Sequence, residues 1–184
     1  MIDYSGGISE AAEHLAQLGH RHVAFIADPR KRRSARRYQN CVIETLHERN
    51  LQLQQIVECD QTLEGGRAAV CKLSTNAPPP TALICINDLT AIGAMSALRE
   101  IGIRVPEQVS VLGCEDIYLA RFVNPPLTTV KLDRKCLGRM AFDVLERMSS
   151  SKQRKGSQTL LDTHLVVRSS TDQCPATPAL WKQH

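Results

Sequence analysis

No apolar run in this chain approaches the ~18–20 residues that a membrane-spanning helix needs. Met1-Ile2-Asp3-Tyr4 is not the charged-then-apolar opening of an export signal, so the expected location is the cytoplasm. C-x-x-C spacing is missing too. The seven cysteines stand at 41, 59, 71, 85, 114, 136 and 174, odd in number and scattered, which argues for reduced thiols, several of them filling core positions. Catalytic signatures are absent: there is no G-x-S-x-G, H-E-x-x-H, G-x-x-x-x-G-K-S/T or G-x-G-x-x-G. His20 and His22 could begin a metal site, but no third ligand of suitable spacing joins them; surface or helix-end histidines, with no metal and no cofactor, are the reading. Strong charge is lacking as well. The net charge is +4, and part of it sits in one run, Arg30-Lys31-Arg32-Arg33 followed by Arg36-Arg37. A solvated loop explains that run as readily as a nucleic-acid contact.

What is present is enough apolar content, 42% of 184 residues, for one domain or two small ones. The stretch from Pro80 to Asp116 organises the rest. Thr81–Ile86 is a short β-branched run, the pattern of a strand buried on both faces. Asn87-Asp88 ends it, with Asp88 as the expected helix N-cap. Ala91, Ala94, Met95, Leu98 and Ile101 then form one apolar helical stripe, stopped by Gly102 and Pro106. Val109–Leu112 is a second buried strand, released at Gly113 into Cys114-Glu115-Asp116. Strand, helix, strand at this length predicts a parallel pair with a right-handed crossover. Asn87-Asp88 and Glu115-Asp116 both follow carboxyl ends of strands, the edge where open α/β sheets bind ligands. Glu115 and Asp116 are neighbours, so in an extended segment they face opposite ways and cannot act as an acid/base pair. The chain is not expected to be an enzyme.

Further elements follow the same logic. Ile8, Ala11, Ala12, Leu15 and Leu18 predict a helix closed by Gly19, and Val23–Ala27 a buried strand. A helix is expected near Ser34–Asn50 with Tyr38, Val42 and Leu46 on one side, a strand at Ile56–Cys59, and a helix from Leu63 to about Leu73. Asn76–Pro80 reads as a rigid proline loop. Leu137, Met140, Ala141, Val144, Leu145 and Met148 mark an amphipathic helix, Ser149–Ser157 a flexible loop, and Thr159–Arg168 a strand. Residues 172–184 read as a tail in which Trp181 packs locally.

Several pieces, in order and at matching spacing, carry a resemblance. Pro80-Thr81-Ala82 with Asn87-Asp88, Gly102-Ile103-Arg104-Val105-Pro106, Val109-Ser110-Val111-Leu112-Gly113 and Pro125-Pro126-Leu127-Thr128-Thr129-Val130 resemble the lactose-repressor/galactose-repressor family of bacterial transcription regulators. Asp3-x-x-Gly6-Gly7, Asp60 with Glu64-Gly65-Gly66, and Leu165–Thr171 match it too. The resemblance implies an α/β fold, a parallel sheet sandwiched by helices, like periplasmic binding proteins and mainly their second lobe. It implies residues 1–130 as that lobe, 131–171 as elements returning to an incomplete first lobe, and 172–184 as a tail. It covers only about the C-terminal half of a complete member; the helix-turn-helix that would contact DNA is not in this span.

The resemblance also suggests the roles. Asn87 would donate and accept to ligand hydroxyls, and Glu115, where the family usually has aspartate, would accept from them. The family's effector-gripping arginine falls at Tyr38, its glycine at Cys41; Arg37, one residue away, or Arg36, two away, would supply the guanidinium, or the basic cluster is merely exposed. Gln61 stands where an aromatic often stacks on the ligand. Ile92, Met95, Tyr118 and Phe122 would make homodimer contacts. The implied function is the effector-binding part of a repressor-type regulator, its ligand a sugar or nucleoside whose binding shifts lobe closure. A free-standing solute-binding protein of the same fold is the alternative. With one lobe incomplete, the helix over 134–149 and the strand after it would lose their usual neighbours, so self-association of the chain is expected.

Overall fold

Val23–Ala27 is apolar at every position because the strand it forms is covered on both faces. In the computed structural model this is β1 (His22–Ala27), and residues 2–29, 33–73, 79–150 and 160–176 of the chain are described. Val23, Phe25 and Ala27 enter a core with helices α1 (Ser5–Gln17) and α2 (Arg33–Glu48). Ala24 and Ile26 enter a second core with α3 (Leu63–Cys71) and α4 (Asp88–Glu100). The alternation is the period of two along a strand, and each fully buried Leu, Ile or Phe adds about 1.5–3 kcal/mol.

The remaining strands are β2 (Gln52–Glu58), β3 (Ala82–Cys85), β4 (Ser110–Glu115), β5 (Thr128–Leu132) and β6 (Thr163–Val166); α5 (Arg134–Ser150) lies between the last two. They form one sheet in the order β2-β1-β3-β4-β5-β6. Every pair is parallel except β5 with β6. The strand expected at Thr159–Arg168 therefore keeps a neighbour, since β6 adds to the same sheet and its Thr163 hydroxyl accepts from the Gly7 amide. α5 alone stands clear, with Phe142 and Leu145 about two-thirds exposed at 65% and 66%.

Three local expectations are corrected. Asn87, not Asp88, caps α4: its backbone is extended and its Oδ1 accepts from the Thr90 amide. Asp88 falls inside the first turn, fully buried. β4 does not stop at Gly113 but runs through Glu115, because Gly113 pairs with Thr129 of β5. β2 begins at Gln52, four residues early; as the edge strand it tolerates Gln52, Gln54 and Gln55, which hid it from an apolar pattern.

Gly19 and Gly102 both adopt left-handed φ, +85° and +78°, and end α1 and α4 as expected. Two other glycines let helices touch: a Cβ on Gly66 would strike the Thr90 carbonyl, and one on Gly93 the Leu63 carbonyl. This backbone contact seats α3 against α4 and fixes the loops at their amino ends. Residues 30–32 of the basic run, 74–78 within and before the expected proline loop, 151–159 covering most of the expected flexible loop, and 177–184 of the expected tail with Trp181 lie outside the described residues.

Candidate ligand-binding site

The carboxyl ends of β1 to β5 lie along one edge of the sheet. Asn87 follows β3 and Glu115 ends β4, the adjacent parallel strand, so the two expected rim residues share that edge. Their engagement differs. The Asn87 Oδ1 accepts from the Thr90 amide at 2.8 Å and the Thr90 hydroxyl at 2.7 Å, and its Nδ2 donates to the Gln61 carbonyl at 3.3 Å. Capping has consumed the acceptor that a ligand hydroxyl would use, leaving one N–H. Gln61 meets Asn87 through its backbone, and its side chain is exposed.

Glu115 is half-buried, and its carboxylate meets the Arg134 guanidinium at 3.5 Å. Its φ is +109° and that of Asp116 +49°, a left-handed excursion at two consecutive side-chain-bearing residues that costs on the order of 1–3 kcal/mol each. The chain is thus not extended here, contrary to the sequence expectation, and the two carboxylates take different partners. Asp116 meets Arg168 at 2.6 Å, mostly out of solvent, and Arg168 also donates to the Leu127 carbonyl at 2.7 Å. Beneath them lies Asp88. Burial pushes its carboxyl up to about 6, against hydrogen bonds from Thr129 and Ile117 that favour the ion, with Glu115 and Asp116 adding repulsion.

A cavity of about 590 Å³ opens beside this rim, between the amino ends of α1 and α2. Tyr4, Tyr38, Arg33, Arg37, Asp3 and Cys41 are among its lining. Arg37 therefore reaches it, whereas Arg36 is exposed and is not part of its wall. Tyr38, at the expected arginine position, is buried; its ring meets Tyr4 edge-on at 4.9 Å and Phe25 at 6.2 Å. Its hydroxyl has no hydrogen-bond partner of good geometry, and the Cys114 thiol is the polar group nearby. Burial drives the Tyr38 hydroxyl well above its ordinary pKa and the Cys114 thiol up to about 12. Tyr4 is pushed up to about 12, chiefly by burial and then by Cys114 and Glu115, with Arg134 opposing.

The dimer residues separate. Met95 is core, 7% exposed against α4's neighbours, and so is not free for a partner; Ile92 is half-buried on the same cluster. Tyr118 and Phe122 are exposed, 72% and 63%, with rings 4.9 Å apart and Arg121 over Tyr118. The histidine pair is split. His20 is sealed between Thr81, Ser110 and the Asp172 carbonyl, while His22 meets Gln54. Among the described residues no three His, Cys, Asp or Glu side chains converge on a metal position, and no helix is long and apolar enough to cross a membrane. Sequence reasoning missed Tyr4, Arg134 and Arg168, and placed Asp88 at the edge only as a helix cap. Gly113 was the available signal for Asp88, since a Cβ there would strike the Asp88 carboxylate.

A parallel sheet with polar groups along its carboxyl edge and a cavity beside it is the arrangement in which open α/β folds bind ligands. The periplasmic binding protein-like domain family matches residues 12–171. The HTH-type transcriptional repressor PurR of Haemophilus influenzae is 34% identical over 165 residues, 87% of this chain and 49% of the repressor. The repressor CytR of Escherichia coli is 32% identical over 177 residues, 95% and 52%. Among solved structures, a dimeric lac repressor with a C-terminal deletion superposes with TM-score 0.86 at 33% identity, covering 94% of this chain and 64% of that one. A LacI-family regulator from Arthrobacter in complex with lactose gives TM-score 0.81 at 28% identity, with 93% and 64% coverage. The chain belongs to the periplasmic binding protein-like family, as an effector-binding region of the LacI type. It spans about half the length of the repressors it matches.

Proposed function

We propose that this chain is the effector-binding part of a bacterial transcription regulator, responding to a small polar metabolite of the sugar or nucleoside class. The observation that supports this reading is the cavity of about 590 Å³ lined by Tyr4 and Arg37, with the Glu115–Arg134 pair of the sheet edge near enough to act electrostatically on Tyr4. That volume falls in the range of small-molecule sites. Glu115 accepts from vicinal hydroxyls, each carboxylate oxygen taking one proton, while Arg37 offers a fork of donors from the cavity wall. Tyr38 and Gln61 replace an arginine and an aromatic at the resembling positions, so the grip is built from Tyr4 and Arg37. Asn87 adds its one remaining N–H. Arg36 contributes charge from outside the wall.

The effector acts by biasing the arrangement of residues 1–130 relative to the portion that α5 begins, a two-state change transmitted to DNA through a helix-turn-helix beyond the residues matched here. Tyr118 and Phe122 form the homodimer contact, and the regulator works in the cytoplasm. Titration calorimetry against a panel of sugars and nucleosides tests the site. Glu115→Gln and Arg37→Met are each expected to weaken the ligand found by tenfold or more, about 1.4 kcal/mol. Unchanged affinity in both variants refutes the assignment.

A further inference from the structure

Both oxygens of the buried Asp88 carboxylate are committed to one turn. Its Oδ2 accepts from the Ile117 amide at 2.7 Å. Its Oδ1 accepts from the Thr129 hydroxyl at 2.5 Å, and that same hydroxyl oxygen accepts from the Asp116 amide at 3.3 Å. Thr129 has a single hydroxyl proton; while it serves the Asp116 amide as acceptor, that proton goes to Asp88. Two consecutive amides, 116 and 117, are therefore anchored on one side chain, directly or through one hydroxyl. They flank the left-handed residues Glu115 and Asp116. Gly113 makes the arrangement possible, because a side chain there would occupy the position of Asp88 Oδ1.

We propose that Asp88 is the positioning residue of the rim: its ionised carboxylate holds the Glu115–Ile117 turn and so aims Glu115 at the ligand. Protonation would weaken this clamp. A protonated Asp88 must donate from one oxygen, and the groups facing both oxygens are themselves donors. If the new proton goes to Thr129, the threonine proton must turn away and its oxygen must accept from Asp88 and the Asp116 amide together, which weakens the amide's bond; if it lies towards Ile117, that amide faces an O–H. The charged and titratable groups facing Asp88 are Cys85 of β3, Cys114 and Glu115 of β4, and Asp116 just beyond it. The cations of the rim, Arg134 and Arg168, pair with Glu115 and Asp116. No cation among the described residues pairs with Asp88, so the clamp opens at mild acidity.

The bearing on ligand rests on Glu115 being the ligand's acceptor, but the test needs no ligand, so failure of the effector site and failure of this inference are told apart. Amide proton and nitrogen shifts of the full chain are followed by NMR from about pH 4.5 to about pH 8. The Ile117 and Asp116 amides are expected to move together with a midpoint of about 6, and to lose that step in Asp88→Asn. Glu115→Gln lowers the midpoint by removing one of the repelling charges. Thr129→Val, which keeps the shape of the site, abolishes the Asp116 response and leaves that of Ile117. This last variant decides the matter where Asp88→Asn does not fold. A flat Ile117 amide in the natural chain, an unchanged step in Asp88→Asn, or loss of both responses in Thr129→Val overturns the proposal.

Discussion

Replacing His20 by leucine removes a buried polar hub while keeping a side chain of similar bulk. His20 is fully buried, its Nδ1 2.9 Å from the Thr81 hydroxyl and its Nε2 3.0 Å from both the Ser110 hydroxyl and the Asp172 carbonyl. A carbonyl can only accept, so Nε2 carries the proton and Nδ1 accepts from Thr81. In the variant, Thr81 still reaches the His22 carbonyl at 3.3 Å, and Ser110 still meets the carbonyl and amide of Asp172 at 3.3 and 3.1 Å. No group is fully orphaned. The loss is therefore net hydrogen bonding, about 1 kcal/mol each, together with an imperfect fit of the leucine. The sum is about 2–4 kcal/mol, or roughly 5–15 °C in Tm for a chain of this size.

The effect also has a pH signature. Burial, then the charge of nearby His14, holds His20 below the ordinary 6.5, with the Asp172 carbonyl opposing. The unfolded chain thus takes up a proton that the folded ring refuses, so stability is full above about 6.5 and falls as pH drops below it. His20→Leu lacks this component, while His14, also held low by burial, titrates in both proteins. Urea unfolding at about pH 7.5 and about pH 5.5 should show a gap that narrows in acid. A gap below about 1 kcal/mol at neutral pH, or one that widens on acidification, refutes the assignment of His20 as a neutral buried hub.

Gly93→Ala should destabilise by about 1–3 kcal/mol, because its methyl strikes the Leu63 carbonyl, whereas Gly138→Ala on α5 meets nothing and should stabilise by up to about 1 kcal/mol; urea midpoints moving in opposite directions check both. Arg168→Met strands Asp116 in a mostly buried site and should cost about 3 kcal/mol, with part regained on adding Asp116→Asn, as a double-mutant cycle in chemical denaturation would read. Tyr118→Ser with Phe122→Ser should shift sedimentation towards monomer while urea-induced unfolding of the separated chain changes by less than about 0.5 kcal/mol, since both rings are exposed.

The sheet was legible wherever a strand is covered on both sides, because Val23–Ala27 of β1 and Ala82–Cys85 of β3 then read as unbroken apolar runs, while β4 was recognised only as far as Gly113. β2 was half-hidden, since an edge strand can be built from glutamines. The rim could be located from the order of elements, but the duties of its residues could not. Asn87 and Asp88 are both short acceptors, and which one caps α4 is decided by whether the other finds Thr129 across the sheet. Arg134 and Arg168 were invisible as site residues for the same reason: they reach Glu115 and Asp116 from 19 and 52 residues away.

The segment that carries β6 has a consequence for how the chain comes together. Its Thr163 holds Gly7 across 156 residues, its Leu165 amide finds Glu10 across 155, and Asp172 closes on His20 across 152. Helix α1 is thus made well before its last partners, which follow it by 155 and 156 residues. During translation its apolar stripe waits for the β6 segment to emerge, which makes it the natural foothold for a chaperone and the place where slow, non-local closure sets the pace of folding.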